Sequence, residues 1–293
     1  MPAAERAAAE TAPTRGRLAL LLTFVLVAFA ANSLITRHVV AADLLDAGLL
    51  TGVRVLSGAA ALGAVLLLRG ERVTLTRAAV VPTVALGVYA VAISYGYRVI
   101  GAAAGTFVFY ATVLLTLVGS DLLRRTPVSP RRRLGAGVSL LGIAVLTGGR
   151  IELVTPLGVV LLAVTGAAWG VYTAAGRSAG DPRLATTVNF LLLGAVLLVP
   201  TLAGFTAGLH VTGAGLVWAV VMGAGTTAFA YVAWYACQRS LTGTAAGSTQ
   251  LVIPVLTTLG AVALLGERLS WTLVVAAVLV AVGLWLNRPR PSR

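Results

Sequence analysis

Of 293 residues, 58% are hydrophobic and 11% charged, and the formal net charge is +13. Soluble domains carry about a quarter charged residues, so this composition excludes a water-covered surface and leaves the lipid bilayer as the solvent that fits. The positive charge would suggest nucleic acid in a soluble protein, but here the arginines stand in short breaks between apolar runs, so no nucleic-acid partner is expected.

In chain order, residues 1–17 are small, polar and proline-containing and read as a disordered tail. Ten apolar segments follow, at 18–36, 48–68, 78–97, 100–122, 133–149, 156–176, 185–203, 214–236, 244–265 and 271–287. Each is near the length of about 17–25 residues that a membrane-crossing helix needs. The first could also be read as a signal peptide, with Arg15 and Arg17 before an apolar core and Ala28-Phe29-Ala30 as a cleavage pattern. Cleavage there would strip the chain of its opening helix, so a retained span is expected. Residues 288–293 form a basic tail too rich in proline to continue a helix.

Orientation follows from the basic residues, all 22 of which are arginine. An N-terminus inside places 17 of them on the cytoplasmic side and four, Arg37, Arg98, Arg150 and Arg268, outside, with Arg54 within a span. That bias puts both termini in the cytoplasm, which an even number of spans permits. A plasma-membrane location follows, the inner membrane in a two-membrane cell. Nothing in the sequence bears on oligomeric state.

The sequence repeats itself. Gly101-Ala-Ala-Ala-Gly105-Thr106 and Gly243-Thr-Ala-Ala-Gly247-Ser248 lie at the same point of two similar segments, 142 positions apart. Phe29-Ala-Ala-Asn32 with Arg37 matches Trp169-Gly-Val-Tyr172 with Arg177, and Thr51-Gly-Val-Arg54 matches Thr186-Thr-Val-Asn189. Five spans per copy is an odd number, so the second copy enters the membrane in the reverse direction. The expected fold is an all-α integral membrane protein, ten transmembrane helices as two inverted five-helix repeats, 18–149 and 150–287.

These residues resemble the drug/metabolite transporter superfamily, specifically its ten-span members with two EamA-type domains. The strongest piece is Pro254-Val-Leu-Thr-Thr-Leu-Gly-Ala-Val-Ala-Leu-Leu-Gly-Glu267-Arg-Leu-Ser, similar to the family's proline, apolar run and Gly-Glu ending. Val53-Arg54-Val-Leu-Ser-Gly and Trp169-Gly170 are further matches. The first half departs from the pattern: Arg124-Arg125 stands where a Gly-Glu would fall, Phe29 where a Trp is common, and Thr112 where the second half has Pro254. The first copy's motif therefore reads as degenerate. The resemblance implies a secondary transporter, often an exporter, of small metabolites such as amino acids.

In inverted-repeat transporters the site lies near the midplane between the repeats. The polar and aromatic groups at that depth are Tyr89, Tyr110, Thr112, Trp169, Thr226, Thr227, Gln250 and Pro254. They read either as a substrate cavity or as residues that satisfy neighbouring helices. Pro254 deprives the Gln250 carbonyl of its helical partner, which gives a cavity wall or a kink that only shapes packing. Arg54 reads as an anchor for a carboxylate or other anion, or as a side chain snorkelling to the outer headgroups. The pairs Gly101/Gly105 and Gly243/Gly247 suggest that the fourth and ninth helices pack alike through small-residue faces.

The acids lie mostly in loops or at span ends and none sits at a midplane, which argues against cation antiport of the proton-exchanging kind. Glu267 reads as ordering a turn, through Arg268 or a helix N-terminus, rather than as carrying protons. The lone Cys237 excludes an intrachain disulfide and a cysteine metal cluster, and the only histidines, His38 and His210, fall in polar breaks. No catalytic residue, metal or cofactor is expected, and the partners expected are a small-molecule substrate and the bilayer. The competing readings are a polytopic enzyme acting on lipid, a cation or drug efflux protein, and a channel.

Overall fold

The computed structural model describes residues 15–124, 129–148 and 154–287. The expected tails at 1–14 and 288–293, the boundary between the repeats at 149/150 and Arg125 lie outside them. Ten helices cross the bundle among the described residues. They are α1 (Arg15–Ala41), α2 (Ala47–Leu68), α3 (Val80–Val99), α4 (Ala102–Leu123), α5 (Pro130–Gly148), α6 (Pro156–Gly176), α7 (Pro182–Thr206), α8 (Gly213–Gln238), α9 (Gly243–Leu265) and α10 (Trp271–Asn287). Two bounds correct the sequence reading. Helix α1 begins at Arg15, so residues 15–17 of the expected tail are helical, and it continues to Ala41, five residues past the anticipated end.

Local chemistry sets the starts. Asp46, Thr155, Asp181, Thr212 and Thr242 each cap the helix that follows, their side chains accepting from backbone N–H groups of its first turn. Pro156 and Pro182 occupy the first turn, where a missing N–H is harmless. Two helices are irregular. Helix α8 contains a π-helical stretch, Met222–Phe229, and α9 breaks at Leu251, three residues before Pro254.

Successive helices reverse direction, so residues 15 and 287 share one end of the bundle, the terminal end; the other is the far end. The packing has an internal symmetry. Helix pairs α3–α6, α4–α6 and α2–α8 each have a counterpart five helices on, α8–α1, α9–α1 and α7–α3, while α2–α7, α4–α9 and α5–α10 map onto themselves. Mates five apart run in opposite directions, so the two repeats are inverted. Crossings are close where glycine allows: a Cβ on Gly166 or Gly170 would fall 2.7 Å from Thr112 Cβ or 2.6 Å from Thr116 Cβ.

Leu20, Val84, Val199, Leu259 and Trp271 are each more than half exposed around the outside. Such a surface is stable only against hydrocarbon, where helices also satisfy their own backbone. Aromatic side chains fill the inside instead.

Candidate functional site

At the middle of the bundle, aromatic rings from both repeats surround a small void. Phe29, Asn32 and Ser33 come from α1, Tyr89 from α3, Phe109 and Tyr110 from α4, Trp169 from α6 and Tyr231 from α8. Trp169 is the hub, with ring centroids 5.2 Å from Phe29, 5.0 Å from Tyr89 and 4.7 Å from Tyr231. The rings meet edge-on or tilted, the favourable arrangements for their quadrupoles. The space between them has no room for a water molecule. Tyr110 lies eight residues into α4, about 12 Å from its start and roughly midway across the hydrocarbon.

Helices at the rim hold the box in place. Gln250 accepts from Trp169 Nε1 at 2.7 Å and donates to the Ala246 carbonyl, so the break in α9 is tied to the hub. Asn32 Nδ2 donates to Thr227 Oγ1 at 2.8 Å, while Asn32 Oδ1 has no partner. Arg54 is fully buried, with Nη2 donating to the Ala90 carbonyl at 2.9 Å and its guanidinium 5.8 Å from the Tyr89 ring centroid. That burial overturns the snorkelling alternative. Arg54 is not itself in the lining, and its Nε and Nη1 have no partner.

Of the candidates, Tyr89, Tyr110 and Trp169 thus come together in the lining, with Gln250 and Thr227 bonded to lining residues. The others do not. Thr112 Oγ1 donates to Val108 in its own helix and its Cβ faces Gly166 at the α4–α6 crossing. Thr226 Oγ1 donates back to Met222 within the π-helical stretch. Pro254 is buried near the break in α9, outside the lining. Sequence reasoning missed Phe29, Asn32, Ser33, Phe109 and Tyr231 as lining residues. Tyr231 had one available signal, standing 142 positions after Tyr89, the offset of the glycine motifs.

Beyond the box, a carboxylate stands at each end of the α4–α9 pair. At the far end Glu267 accepts from the backbone N–H groups of Ala102 (2.7 Å) and Ala103 (3.2 Å), at the start of α4. Arg37 Nε is 3.7 Å away, while Arg37 Nη1 donates to the Tyr97 carbonyl. Glu267 therefore serves a helix N-terminus, not Arg268. Gly266, with φ 65°, turns the chain so that the next side chain points back over α4. Outside this contact lies a cleft of about 850 Å³ lined by Arg37, His38 and Arg268.

At the terminal end Asp121 accepts from Thr244 N (3.0 Å) and Thr244 Oγ1 (2.7 Å), at the start of α9, and from Arg177 Nη1 at 2.8 Å. Ser120 Oγ accepts from Arg177 Nη2. The structural counterpart of Glu267 is thus Asp121, inside the last turn of α4, although the first copy lacks the Gly-Glu ending itself. The glycine pairs are corrected in part. Gly101 and Gly243 face these carboxylates rather than a helix, Gly105 faces Tyr97 of α3, and only Gly247 packs between α9 and α4, against Leu114.

Residues 156–288 match the EamA-like transporter family. An uncharacterized protein of Pseudomonas aeruginosa is 37% identical over 279 residues, covering 92% of this chain and 94% of that protein. A solved crystal structure, 23% identical, superimposes with a TM-score of 0.70 over 93% of this chain and 96% of its own, a likeness of fold.

Proposed function

The chain belongs to the EamA-like transporter family, and from that premise we propose that it is a secondary exporter of small metabolites such as amino acids. The observation that carries the reading is the aromatic box, built by both repeats at mid-depth. In this reading the two repeats rock about the box and expose it to one face at a time, without covalent chemistry. The termini lie in the cytoplasm and the protein spans the plasma membrane.

Each candidate then has a task. Tyr89, Tyr110 and Trp169 supply flat apolar walls. Arg54, with two unpartnered nitrogens, receives a carboxylate once Tyr89 turns aside. Asn32 Oδ1 accepts from a donor on the solute, and Gln250 fixes the Trp169 ring. Among the described residues no carboxylate lines the box, which disfavours cation efflux by proton exchange.

Purified protein in proteoliposomes, offered a panel of amino acids and related solutes, tests the reading. Uptake of at least one is expected. Arg54→Ala should slow anionic and zwitterionic solutes roughly tenfold or more while sparing neutral ones, in line with the loss of a charge-assisted pair. Equal loss across all solutes would remove Arg54 from the site. Failure of every solute, together with lipid turnover, would favour the enzyme reading instead.

A further inference from the structure

The two carboxylate clusters form a reciprocal exchange. Helix α4 sends Asp121 to the N-terminus of α9, and α9 sends Glu267 to the N-terminus of α4. The helices run antiparallel, so the two contacts lie at opposite ends of the same pair, with the box between them. From Ala102 to Asp121 is 19 residues, about 28 Å along the helix and nearly the thickness of the hydrocarbon. We propose that Glu267 with Arg37, and Asp121 with Arg177, are the gating residues of the transporter. Each carboxylate on the opposing helix N-terminus seals one entrance to the box and lets go when that entrance opens. The proposal rests on the transport reading above.

Three features suit these contacts to a switch. Each carboxylate accepts from backbone N–H groups, where the helix dipole adds to the charge. Such a bond is made or broken as a unit, giving a seal two discrete states. Second, each arginine is continuous with a helix that lines the box: Arg37 follows Asn32 and Ser33 on α1, and Arg177 is the cap residue that ends α6, the helix of Trp169. A solute that pushes on those residues therefore shifts the seal on the same helix. Third, α9 breaks at Leu251, between Thr244 and Glu267, so its two ends can move separately. Helix α4 is unbroken and acts as the strut.

The test reads accessibility rather than transport. Ser33, in the box lining, becomes a reporter as Ser33→Cys in a Cys237→Ala background, reconstituted in sealed vesicles of known orientation. A membrane-impermeant maleimide is added from either face. Glu267→Gln should raise the labelling rate about tenfold from one face only, and Asp121→Asn about tenfold from the opposite face only, as expected for losing one capping charge. Arg37→Gln should repeat the first effect and Thr244→Val, which keeps the backbone bond, a weaker form of the second. Any acid variant that is not monodisperse in detergent is replaced by its partner variant.

Unchanged rates, or equal increases from both faces, would reduce the carboxylates to structural caps and overturn the proposal. The outcome is separable from the transport reading. One-sided labelling with no solute moved would sink transport and keep the seals; solute movement with unchanged labelling would do the reverse.

Discussion

The two ends of the bundle use the same parts but not the same geometry. At the terminal end Arg177 touches its carboxylate at 2.8 Å, Ser120 holds the guanidinium, and Asp121 has 5% of its side chain exposed. At the far end Arg37 stands 3.7 Å from Glu267, is anchored instead on the Tyr97 carbonyl, and looks onto a cleft of about 850 Å³. The two arginines are equally exposed, at 14%, so the difference lies in distance: a direct pair resists opening more than a longer one, because the attraction falls with separation. If these contacts are the proposed seals, a symmetric fold carries an asymmetric preference, and the far end is expected to open first.

The largest expected effect comes from deleting each acid. Asp121→Ala strands Arg177 in a nearly buried position and frees two donors of Thr244; losing one partner of a buried pair costs about 3 kcal/mol. On a chain of this size that lowers the thermal midpoint in detergent by roughly 6 °C. Glu267→Ala should lower it by about a third as much, since Arg37 keeps the Tyr97 carbonyl and solvent. Equal losses would break the comparison.

A smaller contrast is expected from the glycines under the carboxylates. A Cβ on Gly243 would come within 2.7 Å of Asp121 Oδ1 and also strike Arg177, while one on Gly101 would sit 3.2 Å from the Glu267 oxygens. Gly243→Ala should therefore push the terminal seal apart and raise labelling of the Ser33→Cys reporter from that face several-fold. Gly101→Ala should change the far-face rate less than twofold, since Glu267 can give a few tenths of an ångström. These ratios reflect the usual steepness of close contacts. The smallest effect is from salt. Raising ionic strength from about 0.1 to 1 M shortens the screening length from roughly 10 to 3 Å, so the far-face rate should rise about twofold and the terminal-face rate should hold.

Much of the fold was legible because membrane helices announce themselves by length and apolarity, and ten of ten anticipated spans correspond to helices among the described residues. The inverted arrangement followed from an odd number of spans per repeat. The site was legible only in part. Tyr89, Tyr110 and Trp169 could be placed by depth, but depth does not fix azimuth, so Thr112 and Thr226 turned to their own helices instead. The pairing of Asp121 with Glu267 was hidden for a similar reason: one acid lies inside its helix and the other beyond a glycine turn, so their sequence offset departs from that of the glycine motifs.

By itself the sequence determined the solvent, the succession of apolar helices, the reversal between halves and the band of aromatic and polar residues at mid-depth, since each follows from local composition and counting. Only the tertiary structure decided which side chains converge, that Arg54 turns inward onto Tyr89 rather than outward, and that each repeat's acid caps the other repeat's helix. Those outcomes depend on the rotation of each helix about its axis and on contacts between residues as far apart in sequence as Arg37 and Glu267. Packing fixes both, and no local pattern encodes either.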